Sequence, residues 1–178
     1  MPTWIVFQRA VNVGGRKYPM AELRSLLTDA GYADVETHIQ TGNIRLSSPI
    51  RSRAKLETEL EKLFAADRGF EVATIVYSRD EVVQVAQDAD RVAAPHPPAY
   101  AHYVELLRAA PSAADAALIE GQQLAGQRAI VQGRAVHLLF DIPFGESKPP
   151  SAAVKRALGV STNRNVKVIR ALVEKWCR

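Results

Sequence analysis

Hydrophobic and polar positions change period several times along the chain, and each change marks an element. Residues 3–11 hold Trp4, Ile5, Val6, Phe7 and Val11 with no breaker before Gly14, which is the pattern of a buried strand. The pair Gly14-Gly15 is expected to end it. Met20, Leu23, Leu26 and Leu27 then recur at helical spacing, with Pro19 suited to the first turn and Gly31 as the stop. Val35, Thr37 and Ile39 alternate with Glu36, His38 and Gln40, and Ile44 to Ser47 alternates again. This predicts a hairpin turning at Gly42-Asn43. Leu56, Leu60, Leu63 and Phe64 mark an amphipathic helix from Arg51 to near Gly69, followed by a strand from Val72 to Tyr77. Ser78 and Glu81 have capping-box spacing, so a helix is expected from Arg79 to about Asp90.

Pro95, Pro97 and Pro98 fall within residues 91–101. Each fixes φ and removes a backbone donor, so the segment reads as a semi-rigid connection. Beyond it the plan repeats. A strand from His102 to Leu107 precedes a helix from Ser112 to about Gln122, and two strands follow, around Arg128 to Val131 and Ala135 to Phe140. After the loop Asp141 to Pro150 come a helix from Ser151 to Leu158 and a last helix with the stripe Val166, Ile169, Leu172, Val173 and Trp176. The element order is β-α-β-β-α-β, a helix, then β-α-β-β-α-α. The expected fold is α+β, with two similar ferredoxin-like halves and largely antiparallel sheets, residues 1–90 and 102–178, joined by 91–101.

In that arrangement the first two strands run parallel with the third between them, so the Gly14-Gly15 loop and the turn Gln40-Thr41-Gly42-Asn43 share one sheet edge. The edge carries Arg9, Asn12, Arg16, Lys17, Gln40, Thr41 and Asn43 around Gly14, Gly15 and Gly42, with a helix N-terminus next in the chain. Cationic and amide donors beside exposed backbone N–H groups suit an anion. Neither P-loop spacing nor the dinucleotide glycine pattern is present, which argues against nucleoside triphosphate hydrolysis.

Composition narrows the choice further. With 47% hydrophobic and 24% charged residues the chain can build a core without disulfides or a metal. The lone Cys177 and the four histidines, His38, His96, His102 and His137, have no ligand spacing, so neither a metal site nor a cofactor is expected. No apolar run approaches the ~20 residues of a membrane span. Met1-Pro2-Thr3 leads straight into the first strand without a signal-peptide pattern, and a cytoplasmic location is the expectation. A net charge of +4 permits an anionic partner, either a small anion or nucleic acid. The third strand, Ile44 to Ser47, has no aromatic residue for base stacking, so nucleic-acid contact would be electrostatic and would draw on the basic segment from Lys148 to Arg178.

Several motifs together resemble a known family. Phe7-Gln8-Arg9-Ala10-Val11-Asn12-Val13-Gly14-Gly15, Pro19-Met20-Ala21-Glu22-Leu23 and Ile39-Gln40-Thr41-Gly42-Asn43-Ile44 are similar to the signature of bacterial domain of unknown function sixteen ninety-seven. Gly145-Glu146-Ser147-Lys148 and Thr162-Asn163-Arg164-Asn165 resemble its C-terminal motifs. The resemblance implies an α+β protein of two similar halves and implies no activity. The chain departs from the family pattern at Ala10, where glycine is usual, at Pro149-Pro150, where Leu-Thr is usual, and at Val166, where tryptophan is usual.

Three readings follow. The first is a non-enzymatic binder of a phosphate- or carboxylate-bearing ligand at the Gly14-Gly15 edge, with Arg164 and Asn165 as further donors or as caps of the last helix. The second is a small hydrolase-type enzyme in which Asn12, Asn43, Ser147 and Lys148 converge between the halves. The third is a protein-interaction module.

Overall fold

The β-branched and aromatic residues at the start of the chain form β1 (Thr3–Gln8). It stops at Gln8, ahead of the glycines, because Ala10 (φ 54°) and Asn12 (φ 56°) already take the left-handed conformation. This computed structural model describes residues 1–178. α1 (Met20–Asp29) follows with Pro19 at its cap position and buries Met20, Leu23 and Leu27. β2 (Ala33–His38) and β3 (Asn43–Ser47) form the expected hairpin, but its turn is 39–42 rather than Gly42-Asn43. Asn43 is a buried strand residue paired with His38, and Ile39 (φ 51°) and Gly42 (φ 76°) make the reversal.

α2 (Arg53–Arg68) begins where Ser52 Oγ accepts from the Lys55 amide and ends at Gly69, φ 74°. β4 (Thr74–Ser78) completes a sheet of order β2-β3-β1-β4 with every neighbouring pair antiparallel. β1 and β2 therefore run parallel with β3 between them. Trp4, Val6, Leu23, Leu27, Leu56, Leu60 and Phe64 belong to one buried cluster. Tyr18 lies in the same cluster and meets Phe64 edge to face, centroids 5.8 Å apart.

β4 lies at the sheet's margin, yet its outward amides are satisfied. Thr74 N donates to Glu61 (2.9 Å), Val76 N to Glu57 (2.9 Å) and Ser78 N to Glu81 (2.7 Å). Glu81 N in turn donates to Ser78 Oγ at 3.2 Å, so the expected capping box forms. α3 (Arg79–Ala93) continues past Asp90 and stops ahead of Pro95, whose ring disfavours helix in the residue before it.

The rest of the chain contains β5 (Ala101–Leu107), α4 (Ala113–Gly121), β6 (Gln127–Gln132), β7 (Ala135–Phe140), a 3-10 turn (Phe144–Glu146), α5 (Ala152–Leu158), β8 (Ser161–Asn165) and α6 (Val166–Trp176). The sheet order is β6-β7-β5-β8, again antiparallel throughout. β8 departs from the predicted order, in which this half ends on two helices and has no fourth strand. Its sequence, Ser161 to Asn165, has no apolar residue to announce a strand. Side-chain bonds replace apolar packing there: Ser161 Oγ and Asn163 Nδ2 donate to Glu105 of β5 at 2.6 and 3.0 Å.

The chain divides into two compact units, Met1–Val82 with Trp176–Arg178, and Val83–Lys175. The divisions fall within α3 and α6 rather than in 91–101. No helix is long and apolar enough to cross a membrane.

Candidate functional site

The two loops expected to share an edge do meet, and Asn12 joins them. Its side-chain Nδ2 donates to the carbonyls of Tyr18 (2.9 Å) and Gln40 (2.7 Å), and its Oδ1 accepts from Tyr18 N (2.8 Å). Arg16 Nε donates to the Ala10 carbonyl at 2.8 Å, a second guanidinium nitrogen donates to the Glu71 carbonyl, and the guanidinium lies 4.5 Å over the Phe70 ring. Asn43, fully buried, donates to the His38 carbonyl (3.0 Å) and to Thr41 Oγ1 (2.9 Å). Asn12, Arg16 and Asn43 thus shape the loops.

The glycines divide by role. Gly14 (φ 55°) and Gly15 (φ 79°) are exposed, and a Cβ at either would meet nothing within 4 Å. They serve the turn's dihedrals. At Gly42 a Cβ would stand 2.7 Å from Gln8 Cβ and 2.9 Å from Val11 Cγ2, so the hairpin turn packs directly on the end of β1. Lys17, Gln40 and Thr41 remain exposed on the surface of the edge.

Beside this edge lies an open groove of about 550 Å3. Arg9 and Arg16, Thr58, Glu61 and Lys62 of α2, and Glu71 to Ala73 line it. Arg9 is fixed at its backbone, where its amide donates to the Ala73 carbonyl at 2.9 Å. Its guanidinium forms no hydrogen bond or ion pair within the chain, and neither does the Lys62 ammonium. Glu61 is committed to the Thr74 amide. Nothing in the sequence singles out Glu61 and Lys62, which sit between Leu60 and Leu63 of an amphipathic helix where charged residues are ordinary.

The remaining expected residues all lie in the second unit. Ser147 Oγ closes the 3-10 turn by donating to the Phe144 carbonyl (2.6 Å), and the Lys148 carbonyl accepts from Gln127 Nε2 (3.1 Å). Arg164 is a strand residue of β8, not part of a helix start. It is buried, donating to Thr162 Oγ1 (2.9 Å) and the Asn163 carbonyl (2.8 Å), and desolvation pulls its pKa down to about 10 against the attraction of Glu105. Asn165 Oδ1 accepts from Lys167 N at 2.9 Å, which caps α6.

The second unit also holds a histidine pair that spacing did not reveal, since partners 35 positions apart leave no local pattern. His102 Nε2 and His137 Nδ1 are 3.0 Å apart and share one hydrogen bond. Both side chains are buried, and His137 Nε2 has no partner. Burial depresses both pKa values to about 4. For His102 the neighbouring His137 and Arg170 add to this and Asp90 opposes it; for His137 Asp88 opposes and Arg91 adds. No group of three or more His, Cys, Asp or Glu is placed to hold a metal ion.

A family model described as protein of unknown function, DUF1697, matches residues 1–137. The chain belongs to that family. The DUF1697 match takes in both loops of the edge and every residue of the groove, and stops short of Ser147, Lys148, Arg164 and Asn165. A solved structure of a conserved bacterial protein from Streptococcus pneumoniae is similar over 100% of this chain and 99% of its own, with 22% identity and a TM-score of 0.73. At that identity the likeness shows the fold alone. No curated protein matches the sequence.

Proposed function

We propose that the protein binds a small phosphate- or carboxylate-bearing molecule in the groove beside β1, recognised by Arg9 and Lys62. One observation carries this reading: two cations without partners in the chain face a groove of about 550 Å3, within the usual size of a small-molecule site. Arg16, a third cation, is held rigid by carbonyls and Phe70, so it contributes field without reorganising. Glu61 and Glu71 line the same groove and favour a ligand with one anionic group over a polyanion. For that reason a small molecule suits the site better than nucleic acid, where affinity grows with the number of phosphates neutralised. The two strand orders support reading each unit as a ferredoxin-like half, and the single Cys177 fits a cytoplasmic setting.

Calorimetric titration of sugar phosphates, nucleotides and short carboxylates, at low and physiological salt, tests the proposal. Arg9→Ala and Lys62→Ala are each expected to weaken binding roughly tenfold, about 1.4 kcal/mol, without moving the melting temperature. Equal losses of affinity and melting temperature would show a structural role instead. Tighter binding of an oligonucleotide with a steep salt slope would make the polymer the ligand. Asn43→Ala is a stability variant and not a binding variant, because its amide bonds to the His38 carbonyl and Thr41 are buried.

A further inference from the structure

Between its sheet and the short helices α4 and α5, the second unit has a partly open cavity of about 70 Å3 in which Glu105 is half-buried. Ile119, Val136, Leu138, Val154 and Leu158 give it apolar walls. Among them stands one carboxylate, that of Glu105. In the sheet Glu105 lies between Val136 of β7 and Asn163 of β8. The first unit has Val6 at the corresponding place, between Ile44 and Val76, and Val6 is fully buried. A carboxylate therefore occupies the centre of one sheet where the other has an aliphatic side chain.

Glu105 is held, but not saturated. Ser161 Oγ donates to one oxygen at 2.6 Å and Asn163 Nδ2 to the other at 3.0 Å, whereas an ionised carboxylate accepts about four hydrogen bonds. It forms no salt bridge with a cation of the chain. Arg164 attracts it, yet pairs with Val104 in β8 and so projects to the opposite face of the sheet. Arg128 borders the cavity, but it pairs with Leu139, the residue of opposite facing to Leu138, and its guanidinium donates to the His96 carbonyl at 2.6 Å. Glu105 is thus the one charged residue on the cavity's face of the sheet, where Gln122 and Gln127 are the uncharged polar residues that also line the space.

We propose that this cavity is a binding site for a small aliphatic primary amine, its ammonium on Glu105 and its carbon chain among Ile119, Val136 and Leu138. Size sets the class: a cavity of about 150 Å3 admits benzene, so 70 Å3 admits a short chain and excludes a ring. Chemistry sets the head group, because an ammonium supplies three donors and the charge that offsets a carboxylate among apolar walls. Access is through the roof. α4 and α5 bury only Ile119 and Val154, so local opening there costs little. The site lies wholly in the second unit and is independent of the groove beside β1.

Titration of the full chain with n-propylammonium chloride, followed by amide chemical shifts, tests this, with 1-propanol and sodium propionate as isosteric probes and sodium chloride as the salt control. Propylammonium is expected to give saturable shifts in β5, β7, α4 and α5, propanol to bind at least tenfold more weakly, and propionate not to bind. Glu105→Gln should weaken propylammonium at least tenfold and leave propanol unchanged. Ala129→Leu, which fills the cavity from β6, should abolish both and serves as the second variant if Glu105→Gln perturbs β8. Equal affinity for propylammonium and propanol, undiminished amine binding by Glu105→Gln, or shifts no larger than those of the salt control would each overturn the proposal.

Discussion

The two units share one strand order and differ in what their helices bring to the sheet. In the first, α1 and α2 bury Met20, Leu23, Leu27, Leu56, Leu60 and Phe64. In the second, α4 and α5 bury Ile119 and Val154, and Leu118 is 45% exposed. Each large side chain fully buried contributes about 1.5–3 kcal/mol, so the first unit's helical layer is held much more firmly. A polar row, Glu105 with Ser161 and Asn163, is tolerated only under the thinner layer. Topology is set by the strands, then, while the volume carried by the helices decides whether a sheet face becomes a dry core or a cavity.

The largest test of this contrast is a matched pair of truncations. Phe64→Ala is expected to cost about 3–5 kcal/mol, and Ile119→Ala about 2 kcal/mol, because the latter enlarges a space that already exists. Urea titrations in a Trp176→Phe background separate the units, since Trp4 lies in the first and its fluorescence follows it, while circular dichroism follows both. Equal costs would refute the contrast.

Gly42→Ala comes next. It adds a Cβ at φ 76° and 2.7 Å from Gln8 Cβ, so left-handed strain of about 1–2 kcal/mol adds to overpacking of about 1–3 kcal/mol. The loss should appear in the fluorescence transition. A loss confined to circular dichroism would contradict it.

Acid should then act on the second unit. His102 and His137 have folded pKa values near 4 against about 6.5 unfolded. A group with a depressed folded pKa takes up its proton more readily when unfolded, so for histidine the neutral form is favoured by folding. Stability is full above about pH 6.5 and falls as pH drops from there towards 4, by on the order of 2–3 kcal/mol. The circular-dichroism transition should shift before the tryptophan transition does. A pH-independent second unit would mean that the pair is hydrated.

Much of this was legible in the sequence. Ser78 and Glu81 announced the capping box, and alternation placed β2 and β3. β8 was not legible, because a strand whose side chains bond to Glu105 carries no hydrophobic period. The meeting of the Gly14-Gly15 loop with Gln40 was legible from topology, but the roles of Asn12, Arg16 and Asn43 were not. Residue type suggests a donor, and only geometry shows that its acceptor is the chain's own backbone. Ala10 stands where the family usually has glycine, and it occupies a left-handed site at φ 54°. Ala10→Gly, the smallest effect, should therefore stabilise the first unit by about 1 kcal/mol, read as a higher urea midpoint at unchanged slope.

The row of carboxylates along β4 bears on how the molecule behaves when crowded with copies of itself. A marginal strand with bare amides is a template on which another chain can add, and the sheet then grows. Here Glu57, Glu61 and Glu81 occupy those amides from within. Any strand seeking that margin must first displace three ionic acceptors. The first unit's sheet therefore ends at β4 by its own chemistry, and polymerisation from that side is obstructed in every molecule, bound to a ligand or not.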